Sequence, residues 1–146
     1  MIDKQVVAEK EFVTLAHAHE HVEQIKKIKP LIKGILFKFF DNKDAPESMN
    51  FFSADVYRYF FLLSFIYEYF DGIEISQEDA LSLVPKKFAS RIKRLQILKQ
   101  AVHLGYIDEK SSTVDKRRRI YSPSNLLISD FIISYKKFTE VLSDAI

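Results

Sequence analysis

One stretch restricts the fold of this chain more than any other: Ser90 to Tyr121, SRIKRLQILKQAVHLGYIDEKSSTVDKRRRIY, a basic helix that ends on a glycine and hands over to a basic two-stranded ribbon. Ser90 can cap the helix, and Ile92, Leu95, Ile97, Leu98, Ala101, Val102 and Leu104 recur mostly at spacings of three and four, which makes one apolar stripe for a core. Arg91, Lys93 and Arg94 crowd the first turn. A helix N-terminus already carries partial positive charge, so three further cations there are unfavourable unless an anion lies beside them, and phosphate is the obvious candidate. Gly105 stands where a left-handed residue ends the helix. Tyr106 to Lys110 then looks extended, Ser111 to Asp115 is a polar turn, and Lys116-Arg117-Arg118-Arg119-Ile120-Tyr121 reads as the returning strand. Three consecutive arginines in a two-faced strand point to both sides of the ribbon.

Charge is segregated in the same way. The chain has 22 Lys and Arg against 20 Asp and Glu, yet Lys86 to Arg119 holds 11 of the first and 3 of the second, a local +8, leaving 11 and 17, or −6, elsewhere. A basic stretch on an otherwise acidic body is the footprint of a polyanion-binding surface.

Upstream lie the other pieces of a compact motif. Ser53 can cap a helix running to Phe70 in which only Arg58, Ser64 and Glu68 are strongly polar, so it reads as the central buried helix. Asp71-Gly72 ends it, and Ile73-Glu74-Ile75 can add a third strand to the ribbon. Ser76-Gln77-Glu78-Asp79 resembles a capping box opening a short helix through Val84, which Pro85 closes before the turn Lys86-Lys87-Phe88-Ala89. Two helices, a turn and a hairpin follow in the order of a winged helix-turn-helix.

These residues resemble the MarR family of bacterial transcriptional regulators. Ser90 to Gly105 matches the spacing of that family's recognition helix and its terminal glycine, Asp115-Lys116-Arg117 falls where the family carries an Asp-x-Arg wing motif, and Ser124 stands where a Ser or Thr opens the next helix. The resemblance covers roughly residues 53–124. Two departures are Asn125-Leu126-Leu127, where the family usually places a Gly after that cap, and Pro85-Lys86-Lys87, which lengthens the helix–helix turn. The resemblance implies a sequence-specific double-stranded DNA-binding regulator. Its basic helix would enter the major groove, with Ser90, Arg91, Lys93 and Arg94 at base edges or flanking phosphates and Lys86 and Lys87 on backbone. Arg117 would enter the minor groove with Asp115 bracing it, and Lys116, Arg118 and Arg119 would add wing contacts. It also implies a homodimer formed by the terminal helices, and a small-molecule effector held between those helices and the DNA-binding lobe.

The expected fold is therefore mainly α with a small β-wing, one domain over 1–146, with a winged helix-turn-helix lobe at about 53–124 and dimerisation helices at about 3–40 and 124–146. In the first of these, Val6, Val7, Phe12, Val13, Leu15, Ala16, Val22, Ile25 and Ile28 are apolar at helical spacing, and Pro30 stops or kinks it before Leu31 to Phe40 continues. Asp41 to Ser48 reads as a polar loop. In the second, Leu127, Phe131, Tyr135, Phe138 and Leu142 lie on one stripe that Ile128, Ile132 and Ile133 widen.

Other classes fare worse. The chain has no Cys, which excludes disulfides, thiolate metal sites and cysteine redox sensing. No Gly-rich phosphate loop, Ser/His/Asp grouping or carboxylate pair stands out, so no enzyme is expected and nothing calls for a cofactor. His17 and His21 are four apart, a spacing that can chelate a metal, but a third ligand is lacking unless Glu20, Glu23 or His103 supplies it, and no metal is expected. Tyr57 to Phe70 is too short to span a bilayer and no signal peptide is evident, so a cytoplasmic protein away from membranes is expected. The rival to DNA binding is a winged helix used as a protein-interaction module, in a replication or phage-associated assembly, with its basic face on an acidic partner.

Overall fold

A computed structural model describes residues 4–40 and 44–145; the side chains of 1–17, 37–43, 137, 141, 142 and 144–146 are outside the description. The apolar positions from Val6 to Ala16, the side chain of His17 and that of Leu142 fall outside it as well. Helix α1 spans Lys4–Phe40 and α2 Glu47–Phe52; α3 is Val56–Phe70, strand β1 Ile75–Ser76 and α4 Gln77–Ser82. After a 3-10 turn at Lys86–Phe88 come α5 Arg91–His103, β2 Ile107–Ser111, β3 Arg119–Pro123 and α6 Asn125–Ala145. The chain is mainly helical with a three-stranded antiparallel sheet in the order β1-β3-β2, the layout expected of a winged helix. It divides into two compact units, Lys43–Tyr135 on one hand and Met1–Asn42 with Lys136–Ile146 on the other.

In the larger unit the core is aromatic. Phe52, Phe61 and Phe65 are fully buried, with near-parallel rings whose centroids lie 6.2 Å and 5.3 Å apart in sequence order. Tyr57, Leu62, Ile75, Leu81, Leu98, Ile107 and Leu127 complete the packing. Burying this many large side chains removes the apolar area that drives folding. Two hydroxyl contacts then bind α6 to the earlier helices. Ser48 Oγ donates to Asp130 at 2.7 Å, and Tyr135 Oη donates to Tyr59 Oη at 3.1 Å.

Several local signals act as read. Ser76 and Asp79 form the reciprocal capping box, Asp79 N–H donating to Ser76 Oγ at 3.2 Å and Ser76 N–H to Asp79 Oδ2 at 3.1 Å. Gly105 adopts φ +81°, a conformation that costs other residues a steric penalty, and the chain leaves α5 there. Ser124 Oγ accepts from Leu127 N–H at 3.2 Å at the start of α6. A third strand does join the ribbon, but as Ile75–Ser76 and not from Ile73, pairing with β3 through Ile75 opposite Tyr121.

Other readings need correction. Ser53 does not cap α3; Asp55 does, accepting from Arg58 N–H at 2.9 Å, because the unforeseen helix α2 extends to Phe52 and uses Ser53 at its own C-terminal end. Helix α4 stops at Ser82 rather than Val84. Pro30 does not stop α1, which continues to Phe40. The central helix α3 is not buried all round: Val56, Phe60, Tyr67 and Phe70 are exposed and, at about 100° per residue, share one side of it.

Candidate nucleic-acid interface

The rotation of α5 decides which of its side chains can meet a ligand, and it differs from the stripe read in sequence. Ile97, Leu98 and Ala101 are buried, and the position one turn earlier on that face belongs to Arg94, not Ile92. Ile92 stands 71% exposed, and Leu104 at the far end is exposed too. Arg94 is 6% exposed, so it does not reach base edges as expected. Its guanidinium donates to the Leu81 carbonyl through Nη1 and to the Ser90 carbonyl through Nε at 3.4 Å.

The reason lies in the preceding turn. In a continuing helix the Leu81 carbonyl would accept from the residue four further on, but that residue is Pro85, which has no N–H. A cation at the end of α4 supplies the missing donor and suits the negative end of the helix. Arg94 therefore ties α5 to α4. Nearby, burial pushes the Tyr57 hydroxyl up to about 12, with the charge of Arg94 opposing that rise and Asp55 adding to it.

The remaining cations are exposed, and acidic side chains hold four of them. Arg91 makes two bonds to Glu78, at 3.1 Å and 2.5 Å; Lys93 lies 3.5 Å from Asp55, Arg118 3.2 Å from Asp79, and Arg119 4.0 Å from Glu109. Hydrogen bonding from Arg91 lowers the Glu78 carboxyl below its ordinary pKa and raises the Arg91 guanidinium. The Asp79 carboxyl is lowered first by the Ser76 N–H, with Ser76 Oγ and Arg118 contributing. Glu78 and Asp79 are adjacent in α4. One therefore holds the first turn of α5 and the other holds the wing, so the two basic elements meet across a single pair of residues. Lys86 and Lys87 are exposed in the turn before α5, and Lys87 lies 5.2 Å from the centre of the Phe88 ring.

The wing is ordered by its own polar groups. Ser112 N–H donates to the Arg118 carbonyl at 2.8 Å and closes the loop. Ser112 Oγ donates to Glu74 at 2.5 Å while accepting from Val114 N–H at 3.2 Å. Asp115 braces the backbone of Arg117, whose N–H it accepts at 3.0 Å through Oδ1. This closure makes 113–118 a loop, so Lys116, Arg117 and Arg118 are not strand residues as read; only Arg119 lies in β3. Lys116 and Arg117 are exposed there, and neither forms an ion pair among the described residues.

No family model matches this chain, and no curated protein matches it. Among solved structures it is similar to the heme sensor protein PefR in complex with heme and carbon monoxide: 18% identity over 88% of this chain and 75% of that one, TM-score 0.46. It is also similar to apo, heme-free PefR, at 17% identity over 88% of this chain and 98% of that one, TM-score 0.40. At these values heme binding remains a property of those proteins, and no residue of this chain is assigned to it.

The histidines form no centre that the structure describes. His19, His21 and His103 are exposed, and among the described residues no group of three or more His, Cys, Asp or Glu is placed to hold a metal ion. Among those residues no helix is long and apolar enough to cross a membrane. Sequence reasoning missed Glu78, Asp79 and Asp55 as partners of the basic face. It had Asp79 as a cap, but the oxygen that caps, Oδ2, also accepts from Arg118, since one carboxylate oxygen has lone pairs for both donors.

Proposed function

We propose that this chain is a sequence-specific double-stranded DNA-binding transcriptional regulator. Helix α5 enters the major groove, Lys86 and Lys87 meet the backbone, and the wing loop carries Arg117 into the neighbouring minor groove. The observation that supports this reading best is the junction at Glu78 and Asp79, which sets the first turn of α5 and the wing side by side rather than on unrelated surfaces. The ion pairs do not close this face. The cation of each pair is exposed, as are the carboxylates other than the half-buried Asp55, and exposed pairs are worth roughly 0–1 kcal/mol, so a phosphate can replace those carboxylates at small cost. Each replacement also releases condensed counterions from the duplex.

A palindromic operator requires two recognition helices about one DNA turn apart, which fits a homodimer built from α1 and α6. Both helices carry exposed apolar residues: Val22, Ile25, Ile28, Ile32, Ile35 and Leu36 on α1, and Leu126, Ile132 and Ile133 on α6. A small-molecule effector would act through the same helices.

The test is Arg117→Ala against a duplex recovered by selection from a random pool, followed by fluorescence anisotropy at several salt concentrations. Affinity should fall, and the slope of log K against log salt should shrink by about one. If both are unchanged, the wing is not in the interface.

A further inference from the structure

The outermost line of α5 carries little of the charge that surrounds it. At about 100° per residue, Ile92, Gln96, Lys99 and His103 fall within roughly 60° of one another, and all four are exposed. Arg91 and Lys93 sit about 100° to either side of Ile92. Their ion pairs agree with that placement, since Arg91 leans onto α4 through Glu78 and Lys93 onto the start of α3 through Asp55. Arg94 is turned inward. No arginine therefore stands at the centre of the face that a major groove would receive from the first two turns of this helix.

Resting on the DNA-binding reading above, we infer that the helix reads A·T pairs, with Ile92 packed on a thymine methyl and Gln96 paired to an adenine edge. The chemistry follows from what the groove displays. The thymine C5-methyl is the one apolar group on its floor, and an isoleucine exposed at 71% in a ring of cations gains by covering it. Gln96, one turn further on the same line, has the paired donor and acceptor that match adenine N7 and N6. Guanine is most often read by a bidentate Arg or Lys; Arg91 and Lys93 stand to the flanks, where phosphates run, and Lys99, on the line itself, lies about two turns beyond Ile92. The surrounding positive charge, from Lys86, Lys87, Lys116 and Arg117, selects a polyanion over an apolar protein groove as the occupant.

The experiment uses the full chain and its selected duplex, with each thymine replaced in turn by deoxyuridine. That change removes only the methyl and keeps pairing and charge. At a thymine beneath Ile92, binding should weaken about fivefold, and Ile92→Ala should abolish the difference between thymine and deoxyuridine there. Ile92 makes no part of the core, so the variant should unfold at the same temperature as the wild type. The inference is overturned if no deoxyuridine substitution weakens wild-type binding, or if Ile92→Ala stays as sensitive as the wild type. When that happens while Arg117→Ala still flattens the salt slope, the methyl contact alone has failed. If no duplex is selected at all, the DNA reading fails with it.

Discussion

Replacing Arg94 by Met keeps the volume of the side chain and removes its donors, which separates a brace from a DNA contact. Of its two bonds, the one to Ser90 is long at 3.4 Å, and the Ser90 carbonyl also accepts the Arg94 backbone N–H at 2.9 Å. Losing it costs little. The Leu81 carbonyl is different, because Pro85 cannot serve it and the site is buried. A hydrogen bond from a charged donor to such a group is worth roughly 1.5–3 kcal/mol, and the new methionine relieves some of the cost of burying a cation. A net loss of about 2 kcal/mol is expected, or roughly 6 °C in melting temperature for a chain of this length. Urea denaturation measures the first and calorimetry the second. Arg94→Lys should recover only part of the loss, since one ammonium cannot copy the guanidinium fork. The reasoning is refuted if Arg94→Met is as stable as the wild type but binds DNA with a salt slope reduced by about one, the behaviour of a lost phosphate contact.

Two further predictions concern the carboxylates. Glu78→Gln releases Arg91 and removes a negative charge from the proposed interface, so binding to any duplex should strengthen and its salt dependence should steepen; weaker binding in the same anisotropy assay would show that the pair orients Arg91 productively. Asp79 has a pKa lowered on folding, so its charge adds stability that is complete above about pH 4 and lost as pH falls through the lower folded value. The stability gap between wild type and Asp79→Asn, from urea midpoints, should be constant from pH 7 to about pH 5 and should narrow below about pH 4. A gap that holds or widens in acid would mean the carboxylate charge is not what the box uses.

How far the sequence could be read depended on the range of the interaction behind each feature. Ser76 with Asp79, Ser90, Gly105 and Ser124 are local devices, complete within four residues, and each sits where its chemistry suggested. Ile92 and Arg94 were exchanged because periodicity alone assumes that buried means apolar. The stripe continues through Arg94 only because a carbonyl thirteen residues earlier lacks a donor, and nothing within α5 reveals that. The arginine run was placed in a strand because the closure by Ser112 and Arg118 joins residues on opposite sides of a turn. The scarcity of polar positions in α3 makes it read as a helix buried all round, and this holds on one side only: Tyr57, Phe61 and Phe65 are buried, whereas Phe60, Tyr67 and Phe70 are not. Hydrophobicity identifies what prefers burial; it does not say how many sides of a helix have neighbours.

The wing loop has a kinetic consequence. Ser112 gathers Glu74, Val114 N–H and the Arg118 carbonyl, and Asp115 fixes the next peptide, so the hairpin tip is shaped before any duplex arrives. A tip that had to organise on contact would surrender conformational freedom at each encounter, and short-lived encounters would be penalised. If the proposed DNA binding holds, a tip set in advance would sample successive grooves as a stiff probe, with its chain entropy already settled when the polypeptide folds.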